Sequence, residues 1–247
     1  MVATSSSETL PPTAPVVEEK PAYARYLVVT DSCGPFFAGE CVRVRSGPGT
    51  EHAVVGTLRN GMVLKVGESV SENGMTWHEV IFDEWLRYPE RLGGKWYVAD
   101  AFVTLVEAAE PQTLSSTTAA STSKRIVVDR SEQILSAYDG DKLVKTFTIS
   151  TGLELTPTPR GTFSVFYKTP TRYMQGPLPW LLDQQYYDLP GVPWNLYFTE
   201  QGAVIHGAYW HDSFGKPYSH GCVNVSPDEA RELYEWTPLG TPVIVQD

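Results

Sequence analysis

Short runs in which apolar and polar side chains alternate recur along almost the whole chain, each ended by glycine, proline, asparagine or aspartate. A period of two with frequent breaks is the pattern of half-buried β-strands, and it leaves little room for a helical repeat. Strands are read at 26–30, 41–45, 54–58, 63–66, 76–81 and 96–98, and again at 125–128, 133–138, 142–150, 161–167, 196–199, 203–206 and 241–246. Asp139-Gly140 marks a tight hairpin between two of them. One helix is predicted: Ser226 as N-cap, Pro227 at the first helical position and Glu229 at the third form a capping box, and the helix should run to Trp236. The fold class is therefore mainly β.

The pattern changes composition twice. Residues 1–22 are rich in Ser, Thr, Pro and Glu and read as a disordered tether, because such a segment cannot bury a core. Residues 107–123 turn to Ala, Ser, Thr and Glu around Pro111 and read as a flexible linker. Between them, 23–106 has the strand spacing of a small β-barrel, and 124–247 forms a second β-rich domain. Two domains suit 247 residues. Residues 168–195 lack alternation but hold Tyr173, Trp180, Tyr186, Tyr187 and Trp194 among five prolines, and read as an aromatic flap over a site.

A net charge of −10 excludes the basic patch that phosphate backbones require, so nucleic acid is not an expected partner. No run approaches the roughly 20 apolar residues of a membrane span, and no export signal is written at the N-terminus. Cys33 and Cys41 stand eight positions apart around Gly34-Pro35, a candidate disulfide, and Cys222 stands alone. If the pair is bonded, the compartment is oxidising and Cys222 is a thiol kept free. The alternative is two reduced cysteines acting as small apolar side chains.

Cys222 is bracketed by chemistry. It ends Ser219-His220-Gly221-Cys222 and is followed by Val223-Asn224, with His206-Gly207 upstream at a strand end. A thiol needs a base in reach and donors for a developing oxyanion. His206 is the candidate base, and backbone N–H groups at Gly221, Cys222 and His220 are the candidate oxyanion donors, Gly221 permitting a tight bend. His211 with Asp212 reads as solvent-facing. His206, His211, His220 and Cys222 lie close in sequence, but their spacing fits no common zinc pattern, so no metal is expected.

These residues, in this order, resemble the L,D-transpeptidase catalytic domain. Thr156-Pro157-Thr158-Pro159-Arg160-Gly161-Thr162-Phe163 matches that family's proline-glycine turn, and the segment from Ser226 to Val245 its closing helix and strand, so the resemblance spans 124–247. It implies a β-sandwich or barrel-like catalytic domain, no cofactor, and peptidoglycan stem peptides as partners. It implies that Cys222 attacks the bond between the third residue of a tetrapeptide stem and the terminal D-alanine. The resulting thioester passes to an amine of a second stem, a 3-to-3 cross-link, and carbapenems would be inhibitors. His206 would be base and acid, the Gly207 carbonyl would hold its ring, and Ser219, His220, Gly221 and Asn224 would support the site. Tyr197, Trp194 and Arg160 are candidate pocket residues. Water in place of the amine would make the same site an L,D-carboxypeptidase or endopeptidase, and a wall-binding protein without activity is the alternative of another class.

The stretch Val42-Arg43-Val44-Arg45-Ser46-Gly47-Pro48-Gly49-Thr50, with Val55-Gly56-Thr57-Leu58, Gly61 and Trp96-Tyr97-Val98, resembles bacterial SH3-like domains attached to cell-wall enzymes. Asp83 to Gly94 is longer and more charged than such a barrel needs. Together the resemblances imply an extracytoplasmic protein, expected as a monomer, whose chemistry on soluble fragments survives deletion of residues 1–106.

Overall fold

Alternation over residues 23–106 folds into one antiparallel sheet. The computed structural model describes residues 22–35, 37, 41–114, 122–177 and 186–247. The expected tether at 1–21 and residues 115–121 of the expected linker lie outside these. The first sheet has seven strands, β1 (Tyr23–Val29), β2 (Val42–Arg45), β3 (Val54–Leu58), β4 (Val63–Glu72), β5 (Met75–Ile81), β6 (Trp96–Ala99) and β7 (Val103–Ala109), in the order β3-β2-β6-β5-β4-β1-β7. Their inward residues, among them Leu27, Val29, Val44, Leu58, Leu64, Val80 and Val98, fill a common core. β4 runs six residues beyond its sequence reading because Asn73-Gly74, both at positive φ, turns it back into β5 as a two-residue hairpin.

Residues 107–109, expected to open the linker, instead finish β7, which pairs along the whole of β1. The short β8 (Gln112–Thr113) then crosses to the second half and pairs with Tyr167 and Lys168.

That half contains two five-stranded sheets. One joins β9 (Lys124–Asp129), β10 (Ile134–Asp139), β11 (Lys142–Thr148), β12 (Gly161–Ser164) and β17 (Pro242–Gln246) in the order β11-β10-β9-β17-β12. The other joins β13 (Tyr167–Pro177), β14 (Tyr186–Tyr197), β15 (Val204–Gly207) and β16 (Val223–Val225) to β8, in the order β16-β15-β14-β13-β8. The helix α1 (Pro227–Trp236) has the bounds read from sequence and packs on β14 and β15. Its start differs in detail: the Ser226 hydroxyl donates to the Glu229 carboxylate at 2.6 Å, and no side chain caps the backbone. At its other end Lys168 Nζ donates to the Tyr234 carbonyl at 2.8 Å and Lys124 Nζ to that of Trp236 at 2.7 Å, supplying donors that a helix terminus lacks.

The aromatic segment 168–195 is the largest departure from the sequence reading. Its described residues belong to β13 and β14, a long antiparallel hairpin rather than an irregular flap; Trp180 lies outside the described residues. Alternation is lost because both faces are covered, by α1 on one side and by the first sheet on the other.

The halves share their interior. Tyr26, Val63 and Ala108 enter the core of the second half, while Val192 and Tyr209 enter the core of the first. The extra segment Asp83–Gly94 is what docks. Glu84 pairs with Arg172 at 2.5 Å and accepts from the Tyr173 N–H at 2.7 Å; the Tyr88 N–H donates to Gln175 at 3.0 Å; Arg91 meets Asp188 at 3.4 Å and lies over the Tyr186 ring. The described residues between 22 and 106 thus share packing with the second half, which bears on the expectation that chemistry survives deletion of residues 1–106. Cys33 and Cys41 are joined by a disulfide bond. Among the described residues no helix is long and apolar enough to cross a membrane.

Candidate active site

Two neighbouring strands bring the sequence-predicted pair together. β15 and β16 run parallel, with Ile205 opposite Val223 and His206 opposite Asn224. On the other side of β15, Tyr197 is opposite Val204. One position before β16, Cys222 falls level with Val204, whose backbone hydrogen bond favours the thiolate. Residues two apart on a strand share a face, so Tyr197, Val204, His206, Cys222 and Asn224 lie on one face, while Leu196, Ile205, Val223 and Val225 enter the core on the other. His206 and Cys222 are diagonal neighbours, the kind of pair that sits roughly 7–8 Å apart at Cα and within reach of long side chains.

The imidazole is held by its own strand. His206 is buried, and its Nδ1–H donates to the Gly207 carbonyl at 3.1 Å, which leaves Nε2 as the lone-pair nitrogen. Gly207 has no room for more: a Cβ there would lie 2.7 Å from Pro193 Cγ and 3.0 Å from Pro227 Cα. Burial lowers the His206 pKa to about 4, opposed by the Gly207 carbonyl and aided by nearby His211. Burial also pushes the Cys222 thiol up to about 11, although the residue keeps partial solvent access. At neutral pH the pair is therefore thiol and neutral imidazole, an arrangement in which an attacking sulfur would hand its proton to the ring.

The turn before Cys222 is braced from within. Gly221 has φ +119°, a conformation that side chains rarely adopt. Its N–H donates to the Ser219 hydroxyl at 3.2 Å, and that hydroxyl donates to the Cys222 carbonyl at 2.5 Å. The Gly221 N–H, a sequence candidate for the oxyanion region, is thus used inside the turn. Thr158 adds a brace that sequence reading quoted without assigning: its buried hydroxyl accepts from the Gly152 N–H at 2.9 Å and donates to the Cys222 carbonyl at 3.1 Å. The signal was the Thr-Pro-Thr-Pro run itself. His220 is exposed on this turn.

The three pocket candidates separate. Tyr197 shares the face of Cys222, stacks on Tyr167 with centroids 5.1 Å apart, and burial raises its hydroxyl far above the ordinary value. Trp194 is three residues away, an odd step that turns it to the opposite face; it is buried against Tyr234 at 5.4 Å and beneath Arg231. It belongs to the core under α1, not to a pocket beside Cys222. Arg160 is exposed on its turn, and its guanidinium pairs with Asp247, Nε to carboxylate 2.9 Å.

His211, read as solvent-facing, is only 1% exposed. Its own loop supplies the cover, with Tyr218 and Phe214 ring centroids at 4.2 and 4.9 Å. Among the described residues no group of three or more His, Cys, Asp or Glu side chains converges as metal ligands would.

With this geometry in view, comparisons with known proteins are specific. The YkuD family profile, described as the L,D-transpeptidase catalytic domain, matches residues 123–245. A Bacillus licheniformis relative bearing the name L,D-transpeptidase YkuD is 32% identical over 124 residues, covering 49% of this chain and 64% of the relative, so the match spans just under two thirds of its length. L,D-transpeptidase 2 of Mycobacterium tuberculosis is 29% identical over 130 residues, covering 47% of this chain and 29% of that one. The solved catalytic domain of an E. faecium L,D-transpeptidase is 29% identical, covers 51% of this chain and 99% of its own, and superposes with a TM-score of 0.44.

Proposed function

Because residues 123–245 belong to the L,D-transpeptidase catalytic-domain family, we propose that this protein is a peptidoglycan L,D-transpeptidase with Cys222 as nucleophile and His206 as base and acid. The observation that carries the reading is His206 and Cys222 on one face of two adjacent strands, with the imidazole fixed through Nδ1 and its Nε2 left to take a proton.

The thiol of Cys222 attacks the carbonyl of the third stem residue, and its proton passes to His206 Nε2. Collapse of the tetrahedral adduct breaks the bond to D-alanine, whose amine leaves with that proton. A side-chain amine on the third residue of a second stem then attacks the thioester, giving its proton to His206, and the returning proton restores the thiol. The product is a 3-to-3 cross-link. Thr158 and Ser219 hold the nucleophile's carbonyl, and Tyr197 lines the donor side.

The disulfide between Cys33 and Cys41 supports an extracytoplasmic setting. We assign residues 23–106 as an SH3-like wall-associated barrel and 124–247 as the catalytic domain, with stem peptides as its partners.

The test is product analysis on purified disaccharide-tetrapeptide. A dimer lacking one D-alanine is expected, and its loss in both Cys222→Ala and His206→Ala. Tripeptide alone would mean that water is the acceptor, and dimer formation by Cys222→Ala would overturn the mechanism.

A further inference from the structure

His211 is not used by the chemistry above, yet it is one of the most enclosed polar side chains in the protein. Its Nδ1 accepts from the Ser213 N–H at 3.1 Å. A neutral imidazole carries one proton, so that proton sits on Nε2 and must be donated. The group facing Nε2, at 2.8 Å, is the carboxamide of Asn224. As placed, the amide nitrogen is the near atom and Oδ1 is buried without a partner. Two donors cannot share one hydrogen bond; exchanging the amide's two ends lets Oδ1 accept from His211 Nε2–H.

Asn224 is a consequential residue to fix. It stands opposite His206 in the β15–β16 register and two positions beyond Cys222. Its backbone exchanges both hydrogen bonds with Ser150, at 2.9 Å each, and the Ser150 hydroxyl donates to the Ser213 carbonyl at 3.0 Å. The loop carrying His211 and the strand following Cys222 are thus tied at two points, one by backbone and one by imidazole. On its other side the His206 ring faces Trp210, with centroids 5.7 Å apart.

We propose that His211 is a positioning residue for the acyl-transfer site: by donating from Nε2 to Asn224 it sets the carboxamide that packs beside His206, and so the base against which Cys222 reacts. The inference rests on the reading of Cys222 and His206 as nucleophile and base. The titratable groups around the ring are His206, Asp212 and Tyr218; burial holds the His211 pKa down at about 4, opposed by exposed Asp212, consistent with a neutral ring.

Two experiments on the full chain test it. Nitrogen NMR of ring-labelled wild-type protein at neutral pH should show His211 as the Nε2–H tautomer and His206 as the Nδ1–H tautomer; His211 as Nδ1–H overturns the proposal. Carbapenem acylation, followed by mass and by loss of β-lactam absorbance, is then measured in variants. His211→Phe fills the aromatic box without a donor and should lower the limiting acylation rate by about 10- to 100-fold, as loss of one buried hydrogen bond at a reacting group does, with half-saturation little changed. His211→Gln, which keeps a donor near the Nε2 position, should recover to within about threefold, and in an Asn224→Ala background His211→Phe should cost less than about threefold more. A wild-type rate in His211→Phe, no recovery in His211→Gln, or full additivity with Asn224→Ala would overturn it. Should His211→Phe fail to fold, His211→Asn, which keeps a group only near the Nδ1 position, takes its place with the same expected loss. Failure of the wild type to acylate would count against the functional reading instead, and the tautomer measurement would still decide the hydrogen bond.

Discussion

Acidification separates this site from one built on an ordinary histidine. The proposed reaction needs His206 neutral, and burial lowers its pKa from 6.5 to about 4. At pH 5 such a ring is still about 90% neutral, whereas an unperturbed imidazole would be about 3% neutral, so the two cases differ by roughly 30-fold in rate. The thiol, raised to about 11, stays protonated throughout, and acylation should follow a plateau from about pH 5 to pH 9. The assay is acylation by a carbapenem in excess, with rates read from β-lactam absorbance across pH 3.5 to 9. Stability must be followed alongside. The unfolded chain binds the His206 proton near 6.5 and the folded one near 4, so stability is full above about pH 6.5 and falls as pH drops toward 4, by about 3 kcal/mol from this group. A rate midpoint near 6.5 in protein that remains folded would refute the reasoning.

Other consequences are as direct. Glu84→Gln removes the ion pair with Arg172 across the two halves and should lower stability by about 1–3 kcal/mol in urea titration; an unchanged midpoint would mean the contact contributes nothing. A fragment lacking residues 1–106 uncovers buried Val192 and Tyr209 and half-buried Met174 and Leu189, where full burial of one large apolar side chain is worth about 1.5–3 kcal/mol, and should be aggregated or non-cooperative; a soluble fragment with full acylation would show the shared core to be dispensable. Denatured, unreduced protein should titrate one sulfhydryl of its three cysteines, and reduction should cost about 2.5 kcal/mol for so short a loop; three free thiols would exclude the bond.

Much of this architecture was legible from residue order. The Asp139-Gly140 turn and the Ser226-Pro227 helix start are local devices, set by φ preference, and both appear where the sequence places them, although the Ser226 side chain caps no backbone group. That His206 and Cys222 come together on one face was legible because the residue types and their order mark both as neighbours of one site. The β13–β14 hairpin was not, since a strand covered on both faces shows no alternation and Pro170, Pro190 and Pro193 argued against it. Trp194 was misplaced because nearness in sequence says nothing of which face a side chain takes, and the partner of Arg160, Asp247, comes from the far end of the chain. His211 was misread because its cover comes from rings in its own loop, an enclosure no periodicity records.

The raised thiol has a consequence for the protein's chemical lifetime. Thiolates, not thiols, enter disulfide exchange and react with oxidants. At pH 7 a cysteine of ordinary pKa 9 is about one percent thiolate, while one at about 11 is about a hundredth of that. In the folded protein the third sulfur, held as thiol, should be a poor partner for exchange with the Cys33–Cys41 bond and slow to form sulfenic acid despite its partial access to solvent. The same burial that raises its pKa would thus keep the free thiol in reserve on a chain that carries a completed disulfide.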